Sequence, residues 1–209
     1  SWLNVWRNPK RSLAMIIAVA VGLWGGVYTA ALATGLLQQR FETTIGQHIS
    51  HIQIHNPLFL KDDHPSHTIP AFADIANVLA EHKDVAAFSS RSRISGMLAT
   101  ANLTSGIGII GIDPENEAMT TGLDENIIEG DYLTEGGRNP VLVGRKLAEK
   151  TRLQPGSRLV LTFQNPEGEL ISASFRVAGI YLTSNSMLDE THVYVMRQDL
   201  NEYLNMDAG

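Results

Sequence analysis

A long apolar run near the N-terminus constrains this chain more than any other feature. Leu13–Leu37 reads LAMIIAVAVGLWGGVYTAALATGLL, and no charged residue occurs from Ser12 to Gln39. About 20 apolar residues in a helix span the hydrocarbon core of a bilayer. A buried helix of a soluble protein usually has a polar face or is shorter. We therefore predict a transmembrane helix over residues 12–39.

A cleaved secretory signal is the alternative explanation of this run. Ala31-Leu32-Ala33 has the A-x-A pattern of a signal cleavage site. However, the run is longer than the ~7–15 apolar residues of a signal core, which favours a retained anchor.

Charged residues at the two ends of the run predict its orientation. Arg7, Lys10 and Arg11 precede it, whereas Arg40 is followed closely by Glu42. The positive-inside rule places the more basic flank in the cytoplasm. We predict three regions, namely a cytoplasmic amphipathic flank (1–11), the transmembrane helix (12–39) and an extracytoplasmic domain (40–209).

Small residues recur at every fourth position of the predicted helix. They are Ala14, Ala18, Gly22, Gly26 and Ala30. Small side chains at this spacing let another transmembrane backbone approach closely. Alanine and glycine are also simply common in membrane helices. The unbroken row of five favours packing against other membrane helices.

The charge of the remaining chain excludes one class of partner. Without Arg7, Lys10 and Arg11 the chain has 13 basic and 22 acidic residues, a net charge of −9. A nucleic-acid-binding protein would show a basic patch, so we predict no nucleic-acid partner. The chain has no cysteine, so it has neither a disulfide framework nor a thiolate metal site.

Residues 40–209 show interleaved strand and helix patterns without a regular βαβ repeat, which predicts an α+β fold. We predict strands at 49–55, 86–100, 104–112, 141–143, 157–164, 170–181 and 193–196. We predict helices at 71–83, 144–152 and 197–204, a loop at 57–70 and an irregular acidic segment at 113–126.

Histidines cluster in two places where a metal site has to be considered. His51 and His55 fall in the predicted strand and His48 directly precedes it. His51 and His55 would lie about 13 Å apart, too far to share a metal. In the loop, Asp62, Asp63, His64 and His67 could gather around a cation, but a solvated polar loop explains them equally well. We predict no metal site.

No set of residues suited to catalysis or cofactor binding occurs. Gly106, Gly108 and Gly111 spell G-x-G-x-x-G, but Pro114 and the surrounding apolar residues place them inside a strand rather than before a helix. In the loop, Leu58, Phe59 and Leu60 form an apolar run, a possible contact for a substrate or partner if exposed. We predict no enzyme, no catalytic residue and no cofactor in this chain.

An ordered series of segments resembles the ABC-transporter permeases of the FtsX/MacB superfamily, with their MacB-like periplasmic core domain. The segments are WRNPKRS (6–12), ISHIQIHNP (49–57), GIDPENE (111–117), IIEGDYL (127–133), VLVGRKLAEKTRLQPGSRLVLTFQNPEGE (141–169) and FRVAGIYLTSNSMLDETHVYV (175–195). Within the superfamily the chain is most similar to the lipoprotein-releasing LolC/LolE type.

The resemblance implies a permease subunit of the bacterial inner membrane with its large domain in the periplasm. That domain would have a porter-like part and an inserted Sabre-like part, and further permease helices would follow residue 209. The partners would be a second permease subunit and a cytoplasmic ABC ATPase that binds ATP and Mg. ATP hydrolysis would move the helices and the periplasmic domains, a mechanism called mechanotransmission.

Three functions remain open. The leading one is release of lipoproteins from the inner membrane. The alternatives are export of a peptide, toxin or drug by a MacB-type system, and a membrane-tethered adaptor that regulates a cell-wall enzyme.

Overall fold

The structure is a computed structural model that describes residues 9–44, 52–59, 64–100, 103–134, 136 and 139–206. Its contacts divide the chain into two compact units, one ending at Thr44 and the other beginning at Ile45. The first unit contains one long helix, α1 (Pro9–Thr44). The second is sheet-rich, so the predicted α+β class with an N-terminal apolar helix is confirmed.

The second unit contains seven strands and five α-helices among its described residues. The strands are β1 (Arg91–Ala99), β2 (Thr104–Ile112), β3 (Ile127–Gly130), β4 (Pro140–Gly144), β5 (Arg158–Gln164), β6 (Leu170–Tyr181) and β7 (His192–Met196). The helices are α2 (Phe72–Glu81), α3 (Pro114–Thr121), α4 (Arg145–Thr151), α5 (Ser186–Thr191) and α6 (Arg197–Tyr203), and a short 3₁₀ turn covers Asp124–Asn126.

Six of the strands pair in a closed circuit, in the order β6-β4-β7-β2-β1-β5 and back to β6. The pairs β2–β7 and β4–β6 are parallel, whereas the other pairs of the circuit are antiparallel. Strand β3 pairs antiparallel with the end of β6. Closure leaves few unpaired strand edges, which are the sites where a sheet could pair with another chain.

Alternating side chains fill one face of this circuit with the main hydrophobic core. In β5, Leu159, Leu161 and Phe163 are buried, and the residues between them face outward. Leu200 and Leu204, from α6 and the residue after it, join the same core. A second cluster on the other face packs Tyr181 against Tyr194, with ring centroids 5.2 Å apart. Period-two burial is the pattern expected of strands with one core-facing side.

Two sequence predictions about this unit are wrong. Residues 52–55 of the predicted strand 49–55 form no strand, and residues 49–51 lie outside the described residues. Ile52 is 83% exposed, so the alternating sequence has no buried face and no described strand to pair with. The segment 113–126 is not irregular, because it contains α3 and the 3₁₀ turn.

Helix signals explain the second error. Pro114 occupies the first turn of α3, and Gly122 ends it in the left-handed conformation at φ 63°. Proline at a helix start and glycine just past its end are standard boundary signals. The remaining predicted strands and helices are confirmed, although β1 begins at Arg91 rather than at residue 86.

Candidate functional site

The described part of α1 exposes apolar side chains all around its axis. The segment Lys10–Leu36 is apolar and long enough to cross a membrane, and none of its most apolar window is buried. A core helix of a soluble protein would be covered instead. The hydroxyls of Thr29 and Thr34 donate to the carbonyls of Gly25 and Ala30, at 2.8 and 2.9 Å. Such internal pairing is what a lipid environment demands of polar groups.

The small-residue row lies on α1, along a line inclined to the helix axis. Its members are Ala14, Ala18, Gly22, Gly26 and Ala30. Each step of four residues turns the row by about 40°. A side chain added at Gly22 or Gly26 would meet no atom within 4 Å. Such a row of small, open positions is typical of surfaces where two membrane helices pack closely. That another helix packs against this row stays a prediction.

We expect the double substitution Gly22→Leu with Gly26→Leu to weaken association between copies of this chain by about tenfold, because the added side chains hold the backbones apart. Energy transfer between donor- and acceptor-labelled full chains in vesicles measures this. Val21→Leu with Tyr28→Leu is the matched control on another face of α1. Equal effects of the two pairs would contradict packing between copies of the chain through the row.

The side chain of Asn56 forms two hydrogen bonds within the loop that follows residue 55. The Asn56 side-chain amide donates to the Thr68 carbonyl at 2.9 Å, and its oxygen accepts from the Leu58 backbone N–H at 3.0 Å. Leu58 is 50% exposed, and Phe59 is half-buried with its ring 6.2 Å from that of His55. Leu60 lies outside the described residues. The predicted contact of this run with a substrate or partner stays a prediction.

The histidine clusters are only partly described. His48, His51, Asp62 and Asp63 lie outside the described residues. The rings of His64 and His67 lie 6.1 Å apart, and His64 Nδ1 is 2.8 Å from the Ser66 hydroxyl. Within the described ranges, no three His, Asp or Glu residues form a group that could hold a metal ion.

The G-x-G-x-x-G glycines lie inside β2, as the sequence predicts. A Cβ at Gly108 would collide with the His192 ring, at 2.6 Å from Cδ2. One at Gly111 would lie 3.0 Å from the Leu200 side chain. Gly108 and Gly111 therefore let neighbouring elements pack closely on the sheet, and none of the three glycines lies in a turn between a strand and a helix.

A buried ion pair beneath α3 is the feature that sequence reasoning missed. Glu117 is 1% exposed, and its carboxylate accepts hydrogen bonds from Ser89, Arg91 and Thr121. The distances are 2.7 Å from Ser89 Oγ, 3.1 Å from Arg91 Nε and 2.9 Å from Thr121 Oγ1. The guanidinium of Arg91 makes a second bond through Nη2.

Electrostatics keep this pair ionised. Burial by itself would raise the pKa of Glu117, but the hydrogen bond and charge of Arg91 outweigh burial and hold that pKa below its usual value. Burial raises the pKa of the nearby Tyr194 to about 12. The pair joins α3 to β1 through bonds from both Nε and Nη2 of Arg91 to the Glu117 carboxylate.

Comparison with known proteins finds a matching family and a similar solved structure. The family of MacB-like periplasmic core domains matches residues 12–206. Among solved structures, the extracellular domain of the noncanonic ABC-type transporter YknZ from Gram-positive bacteria is similar at 17% identity and a TM-score of 0.48. That match covers 64% of this chain and 66% of the other, just under two thirds of its length. A search of curated proteins gives no match. Because the family match includes both the apolar helix and the sheet, this chain belongs to the family of MacB-like periplasmic core domains.

Proposed function

We propose that this chain is the membrane-anchored periplasmic domain of an ABC transporter permease subunit. The observation that carries the proposal is the family match over residues 12–206, which spans α1 and the sheet-rich unit together. The exposed apolar surface of Lys10–Leu36 supports anchoring in the inner membrane of a bacterium. The basic residues before it support a periplasmic location for the domain.

The proposed mechanism is mechanotransmission by a separate ATPase. In it, a cytoplasmic ABC ATPase binds ATP and Mg, and its closure and opening move the permease helices. A second permease subunit completes the pair. The closed strand circuit suits this role, because each of its six strands is hydrogen-bonded to a neighbour on both sides. In this chain, neither a catalytic residue nor a cofactor is required.

We propose lipoproteins as the substrate, as in the LolC/LolE type. Support comes from the ordered segments that resemble this type, among them the sequence FRVAGIYLTSNSMLDETHVYV at 175–195. Within this proposal, the apolar loop residues Leu58 and Phe59 are available to an acylated substrate or a periplasmic partner.

The deciding experiment reconstitutes the whole transporter, with its natural permease subunits and ATPase, in vesicles that contain a fluorescent lipoprotein. We expect ATP to release the acylated lipoprotein into solution. An unacylated form of the same protein and an ATPase variant that cannot hydrolyse ATP are the controls. Release that is independent of ATP, or of acylation, would contradict the proposed substrate.

The alternatives give different results in parallel assays. ATP-dependent transport of a peptide, toxin or drug without lipoprotein release would favour a MacB-type exporter. Activation of a cell-wall hydrolase by the full chain would favour the adaptor function.

A further inference from the structure

Strand β3 leaves one edge of the sheet open. It pairs with β6 on one side, whereas every strand of the closed circuit has a neighbour on both sides. The pairing continues past both ends of β3. Before it, the Asn126 carbonyl accepts from the Leu182 N–H at 3.0 Å, and after it the Asp131 N–H donates to the Ala178 carbonyl at 3.0 Å. Residues 126–131, called the β3 edge below, therefore run along β6 for about 20 Å.

The outer side of the β3 edge is accessible. Among the described strands, only β6 pairs with β3. Ile128 is 44% exposed, and Glu129 and Gly130 are exposed as well. Unpaired N–H and C=O groups along a sheet edge form a template for the backbone of another chain. The β3 edge can therefore accept an added strand.

Acidic side chains surround the β3 edge. Asp124 and Glu125 directly precede it, Glu129 and Asp131 lie on it, and all four are exposed. None of the four forms an ion pair within the described part of the chain. The sequence contains no Lys or Arg from residue 94 to residue 137, so this segment carries no basic side chain to neutralise them. A partner that meets this edge is therefore favoured if it is positively charged.

The same charges disfavour a second copy of this chain as the partner. Pairing of two β3 edges would bring Glu129 and Asp131 of both copies close together, and like charges on facing strands are destabilising. Natural proteins often protect an edge strand with lysine or proline. The β3 edge contains neither residue. Its charge therefore opposes pairing with an acidic edge and favours pairing with a basic strand.

We propose that the β3 edge binds an extended segment of a partner protein that carries Lys or Arg at alternate positions. The segment adds as a strand outside β3, where backbone hydrogen bonds supply affinity and its basic side chains pair with the carboxylates of the edge. Ile128 offers an apolar contact to a side chain of the segment. This inference depends neither on the membrane anchoring nor on the substrate in the proposed function.

Peptide binding to the full chain, in an uncharged detergent, tests the proposal. The probe is a short fluorescent peptide of alternating lysine and valine, and its anisotropy reports binding. One control peptide has glutamate in place of lysine. The other is the basic peptide with every backbone nitrogen methylated, which keeps the charge and removes the N–H donors that a strand needs.

Two double variants of the protein locate the binding site. Glu129→Gln with Asp131→Asn removes two charges from the β3 edge. Glu81→Gln with Glu167→Gln is the matched control, because it removes two charges from exposed positions outside the edge. All four side chains are exposed, and each substitution keeps the size of the side chain, so we expect both variants to fold.

We expect the basic peptide to bind the natural chain, and the variant at Glu129 and Asp131 to bind it about tenfold more weakly. The variant at Glu81 and Glu167 should bind it as the natural chain does, and both control peptides should bind severalfold more weakly. Absence of binding, equal binding of the methylated peptide or equal losses in the two variants would overturn the proposal. Self-association of the chain that the basic peptide disrupts would also overturn it, because the occupant would then be a second copy.

Discussion

Replacing Glu117 with alanine is expected to lower the free energy of unfolding of the sheet-rich unit by about 3 kcal/mol. The substitution removes the acceptor for Ser89, Arg91 and Thr121 at once. The Arg91 side chain keeps 28% of its surface exposed, so water partly solvates the orphaned charge and moderates the loss. Urea unfolding of the full chain in detergent, followed by the near-ultraviolet dichroism of its tyrosines, measures the change.

Glu115→Ala is the matched control, because Glu115 lies two residues earlier on α3 and is exposed. We expect it to cost about 0.5 kcal/mol, the scale of a carboxylate in the first turn of a helix. Similar losses from both substitutions would show that the ion pair contributes nothing beyond the charge of the helix.

Acid should remove the contribution of Glu117. Its pKa is lower in the folded state than the ordinary glutamate value of 4.5, so its stabilisation is present in full above that value. As the pH falls through the folded pKa, the carboxylate takes up a proton and the stabilisation disappears. The stability difference between the natural chain and Glu117→Gln should therefore shrink below about pH 4.5. A constant difference down to low pH would contradict the ionised pair.

Local patterns explain the elements that the sequence predicts correctly. Alternating apolar residues in β5 and β6 predict two strands, and the NPEG turn between them predicts their antiparallel pairing. Gly168 in that turn has φ 86°, a conformation that glycine adopts without strain. The apolar helix needs no tertiary information either, because its length and lack of charge suffice.

Long-range pairing explains what the sequence does not reveal. The parallel pair β2–β7 joins residues more than 80 positions apart, and nothing local to either strand encodes that choice. In the sequence, Glu117 resembles its exposed neighbour Glu115, since Arg91 lies 26 residues earlier and meets it only in the fold. The short strand β3 is mostly exposed, so it carries no alternating apolar signal.

The error at residues 52–55 has the same physical origin. Alternation of Ile52 and Ile54 with polar residues predicts a half-buried strand only if a sheet covers one side. Both isoleucines are exposed in the structure. The alternating pattern shows that the side chains are apolar, but it does not show whether another part of the protein covers them.

Replacing Gly144 with alanine should be as damaging as losing the ion pair, for a steric reason. Gly144 ends β4 with φ −66°, a conformation open to every residue, so no backbone strain arises. An added Cβ would instead collide with the backbone of Asp189, including its carbonyl oxygen, and would lie 2.6 Å from its Cα. We expect a loss of about 3 kcal/mol in the free energy of unfolding, measured by the same urea titration.

Hydrogen bonds hold both Gly144 and Asp189 in place, so neither can shift easily to relieve this clash. Strand β4 is held between β6 and β7, and the Asp189 carboxylate accepts from the Thr183 hydroxyl at 2.7 Å and from its backbone N–H at 3.2 Å. Gly106→Ala is the control, since an added Cβ at this exposed strand glycine meets nothing within 4 Å. It should change stability by at most about 0.5 kcal/mol. If Gly144→Ala is equally harmless, α5 is free to shift, and the close packing of Gly144 on Asp189 contributes nothing to the stability of the unit.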